Sequence, residues 1–188
     1  RTQKPKAEYP ATEQGGYTTQ PLIVLTSRQS ASASEIVSGA MQDHDRGVLV
    51  GETTFGKALV QSVYPIDEGA ALALTTAHYA TPSGRIIQRP WDSSFDEYLT
   101  YTSRDQKGST QPHQASELKY TDSGRKVYGG GGIEPDHFIA GPVEGFAPTP
   151  FSRLLVSRNA FVGFASKFAK EGDNRPGARS AAKYKVAA

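Results

Sequence analysis

Apolar positions follow three different patterns along the first eighty residues. Residues 22–25 form a continuous apolar run, which is typical of a buried parallel strand. Apolar residues then recur at helical spacing over residues 33–44, and residues 48–50 form a second short apolar run. Strand, helix and strand in this order predict a right-handed βαβ unit.

The pattern changes to that of a β-strand after Gly56. Residues 57–64 alternate along the chain, and residues 71–77 give a second run after a turn, so we predict a β-hairpin. Lys57 and Gln61 would share one face of the first strand, with their Cα atoms about 13 Å apart. Direct contact between the two side chains therefore requires a bend or bulge, which Gly56 could begin.

The remaining segments divide the chain into three parts. Residues 1–20 are polar and contain prolines and glycines, which predicts a linker or edge hairpin before a core at residues 21–145. Within that core, a polar stretch around residues 103–116 predicts a surface insertion that is partly disordered. Residues 146–188 begin with Thr149-Pro150, a good helix start, so we predict one helix that docks onto the core or another subunit, then a mobile tail.

Composition narrows the classes of function. The 188 residues are 37% hydrophobic, enough for one sizeable core, and the net charge of +2 gives no argument for nucleic acid or an acidic membrane surface. No run approaches the length of a membrane span, and the absence of cysteine excludes thiol catalysis, disulfides and cysteine metal sites. Four scattered histidines lack metal-ligand spacing, so we expect no metal and no cofactor. A chain that begins with arginine is expected to be an excised piece, with any export signal upstream.

Ser32 lies immediately before the predicted helix, and its position has two interpretations. The first N–H groups of a helix have no intrahelical partner and carry partial positive charge, which suits them to an acyl-transfer oxyanion beside a serine nucleophile. Alternatively, Ser32-x-x-Glu35 matches a capping box, in which the serine only satisfies the backbone. Taken alone, these residues favour the capping interpretation.

Lys57 is the candidate base for a serine nucleophile. An amine can accept the proton if burial lowers its pKa toward neutrality. A turn, a short strand and a loop over residues 45–56 would return Lys57 to the starting end of the helix. Residues 51–57 also fit the phosphate-loop pattern G-x-x-x-x-G-K, but Ala58 lacks the hydroxyl that would bind Mg²⁺ and a strand pattern follows, so we expect no nucleotide site.

Three motifs carry a resemblance to a known family. SASASE at residues 30–35, FGK at residues 55–57 and VYGGGGIEPD at residues 127–136 resemble the C-terminal processing peptidases, also called tail-specific proteases. The match covers about half of the chain. It implies an α/β fold with a ClpP/crotonase-like peptidase core, a βαβ unit plus β-hairpin, and a C-terminal helix.

The resemblance also implies a role for individual residues. Ser32 corresponds to the nucleophile and Lys57 to the general base of a Ser–Lys pair. Gln61 corresponds to the residue that orients the lysine, and the backbone N–H of Ala33 to one donor of the oxyanion hole. Asp43 matches an aspartate that gives structural support in the family. A Ser–His–Asp triad using one of the histidines is not needed to explain the sequence.

Two departures from the family pattern are visible. The family has FGKG where this chain has Ala58 after the lysine, which restricts the backbone there. The upstream glycine-bearing strand that supplies a second oxyanion donor is absent, as is the PDZ domain that commonly precedes it. We therefore expect an N-terminally truncated chain, the C-terminal half of a protease core.

The function implied is that of a serine endopeptidase working through an acyl-enzyme. Its expected substrates are proteins with unstructured C-terminal tails, its expected location is outside the cytoplasm, in a bacterial periplasm or cell envelope, and it could form a homo-oligomer. The alternative is a non-catalytic ligand- or peptide-binding module on the same fold, similar to the interphotoreceptor retinoid-binding proteins, or an inactive fragment.

Overall fold

The computed structural model describes residues 8–11, 15–67, 69–90, 113–141 and 149–171. The described residues of the 1–20 segment form no strand, so an edge hairpin is not seen there. Most of the predicted insertion around residues 103–116, and the tail predicted to be mobile, lie outside the described residues.

Mixed α/β structure is present, as predicted. The elements in chain order are β1 (Ile23–Thr26), α1 (Ala33–Asp43), β2 (Val48–Gly51), β3 (Leu59–Asp67), β4 (Ala70–His78), a 3₁₀ turn (Ala115–Glu117), β5 (Leu118–Tyr120), β6 (Lys126–Tyr128), β7 (His137–Phe138), α2 (Pro150–Ser157) and α3 (Ala160–Glu171).

A three-stranded parallel sheet organises the molecule, with strand order β1-β2-β7. Helix α1 connects β1 to β2, whose register runs from Ile23 opposite Val48 to Thr26 opposite Gly51. The predicted βαβ unit is therefore present. Strand β1 is not the buried strand that its apolar run predicts, since Ile23 and Leu25 are 64% and 79% exposed.

The predicted hairpin is formed by β3 and β4, which pair antiparallel. Its first strand begins at Leu59, so Lys57 precedes the strand and the alternation of strand residues does not reach it. The register shifts between Val60 and Gln61, which pair with Ala77 and Thr75 and leave one extra residue on β4. This irregularity is a β-bulge within the stretch where a Lys57–Gln61 contact would require a bend or bulge, although the extra residue lies on β4.

The buried core is formed by strand β2, the loop between β2 and β3 (the lysine loop) and the segments that contain Ile87 and Ile133. Leu49, Ala58, Ile87 and Ile133 are each 0% exposed and pack together. Strands β5 and β6 form a second small hairpin, which begins just after the insertion predicted around residues 103–116.

The C-terminal segment contains two helices where one was predicted. Thr149 caps α2 as expected, since its side chain accepts a hydrogen bond from Ser152 N–H at 3.1 Å. The helix then stops because Asn159 adopts a left-handed conformation, with φ of 51°, before α3 begins. Phe151 and Phe161 are exposed, so the predicted docking onto the core is not seen among the described residues. No helix in the described ranges combines the length and hydropathy of a membrane span.

Candidate active site

Ser32 and Lys57 lie on two loops that leave the same edge of the parallel sheet. Ser32 ends the loop after β1, and Lys57 lies in the loop after β2. Because β1 and β2 are parallel neighbours, their carboxyl ends place both loops side by side. This edge is where α/β proteins commonly form their ligand sites.

A buried carboxylate joins the two loops. Glu35 is 0% exposed, and its Oε2 accepts hydrogen bonds from Ser32 N–H at 2.8 Å and Lys57 N–H at 2.9 Å. Its Oε1 accepts from Gly56 N–H at 2.6 Å and from the Thr54 hydroxyl at 2.5 Å. No basic side chain in the described part of the chain forms an ion pair with it. Four N–H and O–H dipoles therefore satisfy this carboxylate without a cation.

Tyr79 connects the same two loops through their carbonyl groups. Its hydroxyl lies 2.8 Å from Lys57 O and 3.3 Å from Ser32 O, and its ring packs against the core. Burial, together with the negative charge of Glu35, raises the pKa of Tyr79 above its usual value of 10.0. The phenol is therefore neutral and able to donate at physiological pH.

Ser32 has a strained backbone and a hydroxyl that does not cap the helix. Its φ of 57° and ψ of −116° lie in a region that favours glycine. Ser32 and Glu35 fit the capping-box pattern, but the firm hydrogen bond is the one that Glu35 accepts, and the Ser32 side chain makes no cap hydrogen bond. The adjacent N–H of Ala33 has no hydrogen-bond partner among the described residues. The Ser32 hydroxyl is thus exposed beside an N–H group at the first position of the helix.

The side chains of Lys57 and Gln61 are exposed in the structure. The backbones of Ser32 and Lys57 are brought together, but in the described ranges no hydrogen bond joins the Lys57 amine to Ser32 Oγ or to Gln61. Catalytic hydrogen bonds are often long in structures without substrate. The two loops are therefore held close together, but the Lys57 amine and the Ser32 hydroxyl are not hydrogen-bonded to each other in this structure.

Asp43 lies at the opposite end of α1, eight residues or about 12 Å from Glu35 along the helix. Its Oδ1 pairs with Arg85 Nη2 at 2.7 Å, and its Oδ2 accepts from Ser83 N–H at 3.0 Å. Burial lowers the pKa of Arg85, although the charge of Asp43 acts in the opposite direction. Asp43 therefore fastens the helix to the segment after β4 and does not reach Ser32.

The glycine-rich motif supports the lysine loop from behind. Ile133 N–H donates to Thr54 Oγ1 at 2.7 Å, and Thr54 N–H donates to Ile133 O at 3.1 Å. A Cβ atom on Gly132 would lie 2.4 Å from Thr54 O, so only glycine fits, and its φ of 95° also favours glycine. This motif thus orients Thr54, which in turn donates to Glu35.

Ala58 anchors the lysine loop in the core, and it is not among the described residues with positive φ, so alanine fits the backbone here without strain. It is 0% exposed, its N–H donates to Gln88 Oε1 at 2.8 Å, and its carbonyl accepts from Tyr79 N–H at 3.0 Å. The following residues enter strand β3, whereas a phosphate loop requires a helix there. The rejection of a nucleotide site on this motif is therefore supported.

A buried ion pair and a backbone contact add further links between the loops. Glu52 accepts from Arg28 Nε at 2.9 Å and from Arg28 N–H at 3.2 Å, and Phe55 N–H donates to Ser30 O at 2.9 Å. Burial pushes the pKa of Glu52 upward, but hydrogen bonds from Arg28 outweigh it and the pKa is lowered. The site is thus held by a charged pair on one side and by Glu35 on the other.

Two of the four histidines have side-chain contacts of their own. His44 pairs with Asp122 at 2.9 Å, and His113 pairs with Glu134 at 3.0 Å while stacking on Tyr128. In the described ranges, no group of three or more His, Asp or Glu residues is arranged to hold a metal.

Sequence reasoning missed three residues of this site. The sequence pattern indicates Glu35 only as a partner of the cap and gives no role to Thr54 or Tyr79. A signal for Tyr79 existed, because the antiparallel hairpin that begins after Lys57 must return to it, and the residue following His78 then lies beside Ala58.

The fold and the site together define an α/β protein with a serine at a strand–turn–helix junction, the geometry that exposes a nucleophile in many hydrolases. Comparison with known proteins finds a matching family model. Residues 1–91, just under half of the chain, match the model of peptidase family S41. These residues are similar to that family, and the resemblance to the C-terminal processing peptidases is confirmed.

Individual relatives agree. The chain is 56% identical over 69 residues to the carboxy-terminal-processing protease of Bartonella bacilliformis, covering 37% of this chain and 16% of that protein. It is 50% identical over 72 residues to the carboxyl-terminal-processing protease of Synechocystis sp., covering 38% and 17%. The chloroplastic C-terminal processing peptidase of Tetradesmus obliquus is 50% identical over 69 residues, 37% of this chain and 15% of that protein. The matched stretch therefore spans less than a fifth of each relative.

Two solved structures are also similar. The photosystem II D1 C-terminal processing protease shares 30% identity with a TM-score of 0.40, covering 64% of this chain and 21% of that chain. Mature CPAF shares 14% identity with a TM-score of 0.35, covering 81% and 20%.

Proposed function

We propose that this chain forms part of a serine endopeptidase in which Ser32 is the nucleophile and Lys57 the general base. The observation that carries the proposal is the shared contact of Ser32 N–H and Lys57 N–H with one oxygen of Glu35. Two loops from different strands are held together at the N-terminus of α1, and they carry the two residue types that a Ser–Lys peptidase needs.

The proposed reaction proceeds through an acyl-enzyme. Ser32 Oγ attacks the carbonyl carbon of the peptide while its proton passes to neutral Lys57 Nζ, and the oxyanion accepts a hydrogen bond from Ala33 N–H. The tetrahedral intermediate collapses, the C–N bond breaks, and Lys57 returns the proton to the leaving amine. Water then attacks the ester while Lys57 accepts its proton, and Lys57 returns that proton to Ser32 Oγ as the C–O bond to the serine breaks, which releases the acid product and regenerates both residues.

The exposed position of Lys57 indicates what else the site needs. An amine serves as a base near neutral pH when burial disfavours its charged form. We propose that this chain is the C-terminal portion of a ClpP/crotonase-like core, in which other residues of the protein cover Lys57 and supply a second oxyanion donor. The length of the relatives beyond the matched stretch supports this proposal. Gln61, which follows the bulge in β3, would then orient the lysine.

Substrate and location follow from the relatives as proposals. Proteins named carboxyl-terminal-processing proteases occur among both bacterial and chloroplast relatives. We propose that this protein cleaves substrates recognised by unstructured C-terminal tails, outside the cytoplasm in a bacterial periplasm or cell envelope, without a cofactor. A preceding PDZ domain and homo-oligomer formation are further expectations from the family.

The test is degradation of an unfolded protein with an apolar C-terminus by the protein at its full natural length. Wild type is compared with Ser32→Ala and Lys57→Ala, and with Lys126→Ala as a control at an exposed lysine on β6. We expect each site variant to lose at least about 10³-fold in kcat/KM, because the nucleophile and its base act as one unit. Lys126→Ala is expected to keep wild-type activity.

Folded fraction is measured by circular dichroism for every variant, so that loss of activity is compared at equal folded protein. If wild type does not cleave, or if folded Ser32→Ala cleaves as fast as wild type, the peptidase proposal is wrong. Ser32 is then a helix-start residue, and binding of apolar ligands by the same fold becomes the function to measure.

A further inference from the structure

We propose that Glu35 is the positioning residue of this site, the group that sets the distance between the nucleophile loop and the lysine loop. The inference deepens the proposed function and rests on it for the role of Ser32 and Lys57. It concerns how the two residues are held, which no motif of the chain reveals by itself.

The first argument is geometric. Ser32 N–H and Lys57 N–H both donate to Glu35 Oε2, at 2.8 Å and 2.9 Å, so their nitrogen atoms lie within about 6 Å of each other. The two residues are 25 positions apart in the chain and belong to loops that follow different strands. One oxygen atom therefore determines how closely the two backbones approach.

The second argument is the difference between this carboxylate and an ordinary capping residue. A cap requires only the hydrogen bond to Ser32 N–H, which is local. The other three hydrogen bonds of Glu35 go to Thr54, Gly56 and Lys57, which are 19 to 22 residues away. Three of the four hydrogen bonds of Glu35 are thus made to the lysine loop, and only one is made at the start of the helix.

The third argument is chemical specificity. All four partners of Glu35 donate, including Thr54, whose Oγ1 is itself occupied as an acceptor by Ile133 N–H. A glutamine of the same shape would direct an NH₂ group at two of these donors in either orientation of its amide. Only a carboxylate offers acceptors on both oxygens, so Glu35→Gln changes the spacing of the loops without changing side-chain volume.

The fourth argument is that the opposite side of the site is held independently. Tyr79 bridges the carbonyls of Lys57 and Ser32. Loss of Glu35 therefore need not separate the loops entirely. Loss of Glu35 removes the hydrogen bonds to the backbone N–H groups of the two loops. A misplacement of the order of 1 Å between reacting groups costs about 10²-fold in rate.

The experiment measures the reactivity of Ser32 directly. A fluorophosphonate probe labels activated serines without needing a peptide-binding site, so its rate is recorded for full-length wild type, Ser32→Ala and Glu35→Gln. We expect Glu35→Gln to remain folded and to label about 10- to 100-fold more slowly than wild type, with KM for a peptide substrate nearly unchanged and the loss in kcat.

Asp43→Asn is the matched control, since Asp43 is the other buried carboxylate of α1 and lies away from Ser32. It is expected to lower stability but to label at the wild-type rate per folded molecule. If Glu35→Gln does not fold, Thr54→Val replaces it, because it removes one donor to Glu35, and Thr54→Ser should restore the rate. A folded Glu35→Gln that labels like wild type, or an Asp43→Asn that loses labelling equally, would overturn the inference.

Hydrogen exchange separates this inference from the proposed function. The amide protons of Ser32, Gly56 and Lys57 should exchange faster in Glu35→Gln than in wild type, whether or not the protein cleaves peptides. If these amide protons exchange equally slowly in the two proteins, Glu35 does not hold the two loops together. If the wild-type protein fails to label, but these amides exchange faster in Glu35→Gln than in wild type, then the positioning role of Glu35 is supported. The peptidase proposal is then the part that is wrong.

Discussion

The two ends of helix α1 each carry a buried carboxylate, and the two use their charge differently. Asp43, 1% exposed, pairs with the guanidinium of Arg85 at 2.7 Å. Glu35, 0% exposed, is surrounded by three amides and a hydroxyl. An ion pair fastens one element to another, whereas a carboxylate held by amides fixes the positions of the backbones that donate to it. We infer that the first maintains the fold and the second arranges the site.

The C-terminal end of α1 extends this charged contact into a network. Arg85 also donates to Gln42 Oε1 at 2.7 Å, and Gln42 Nε2 donates to Asp136 Oδ1 at 3.1 Å. Asp136 accepts from Leu49 N–H at 2.8 Å, which ties the network to strand β2. The aspartate of the GGGGIEPD motif therefore serves the fold at this end, while the glycines of the same motif serve the site.

The largest expected effect tests the fold-maintaining end. Arg85→Met leaves Asp43 buried without its cation, and we expect the free energy of unfolding to fall by about 3–5 kcal/mol, as for other buried pairs that lose one member. Urea denaturation of the full-length protein measures this, with Arg158→Met as an exposed control. Probe labelling of Ser32 should be unchanged per folded molecule. A stable Arg85→Met with slow labelling would reverse the roles assigned to the two ends.

A smaller effect tests strain at the site end. Ser32 holds a backbone conformation that favours glycine, so Ser32→Gly should be more stable than Ser32→Ala by about 1 kcal/mol, both variants being inactive. Thermal or urea unfolding of the pair gives the difference. Gly16→Ala, at a position where a Cβ meets nothing within 4 Å, is the comparison for glycine content alone. Equal stability of the two Ser32 variants would mean that no strain is stored there.

The smallest effect concerns acid. Burial alone would raise the pKa of Asp45, just beyond α1, but hydrogen bonds from Ser123 and Arg125 outweigh it and hold the pKa below its usual 3.8. The contribution of the Asp45 carboxylate to the free energy of unfolding is therefore complete above pH 3.8. It is lost as the pH falls through the lower pKa that Asp45 has in the folded protein. We expect Asp45→Asn to reduce the acid dependence of the unfolding free energy, and Asp122→Asn, at an exposed site, to leave it intact. Identical slopes in all three proteins would contradict this.

Periodicity in the sequence was sufficient for the elements that frame the site. The strands on either side of α1 and the β3–β4 hairpin agree with their predictions to within a few residues, because the spacing of apolar residues marks these elements in the sequence. Their burial does not follow the same pattern, since every residue of β4 is exposed. The break between α2 and α3 was missed, since it depends on a single left-handed residue, Asn159, inside a continuous apolar stripe. The spacing of apolar residues does not indicate this helix break; only the presence of asparagine, which can end a helix in the left-handed conformation, indicates it.

The candidate site was predictable only in part for a different reason. The capping-box spacing links Glu35 to Ser32, because that contact is local. Its contacts with Thr54 and Lys57, and those of Tyr79, join segments that are adjacent only after the sheet has formed. Spacing along the chain carries no information on such contacts, so the roles proposed for Ser32, Lys57, Gln61 and Ala33 remain predictions for the variants above.

The close approach of Gly132 to the Thr54 carbonyl has a genetic consequence. Any residue with a Cβ at that position must push Thr54 aside, and Thr54 is a hydrogen-bond donor of Glu35. A random screen for loss of proteolysis should therefore recover substitutions at Gly132 alongside those at Ser32, although the two codons are a hundred positions apart in the gene. Second-site suppressors of such alleles should map to the segment around Thr54, where the displaced backbone can be accommodated.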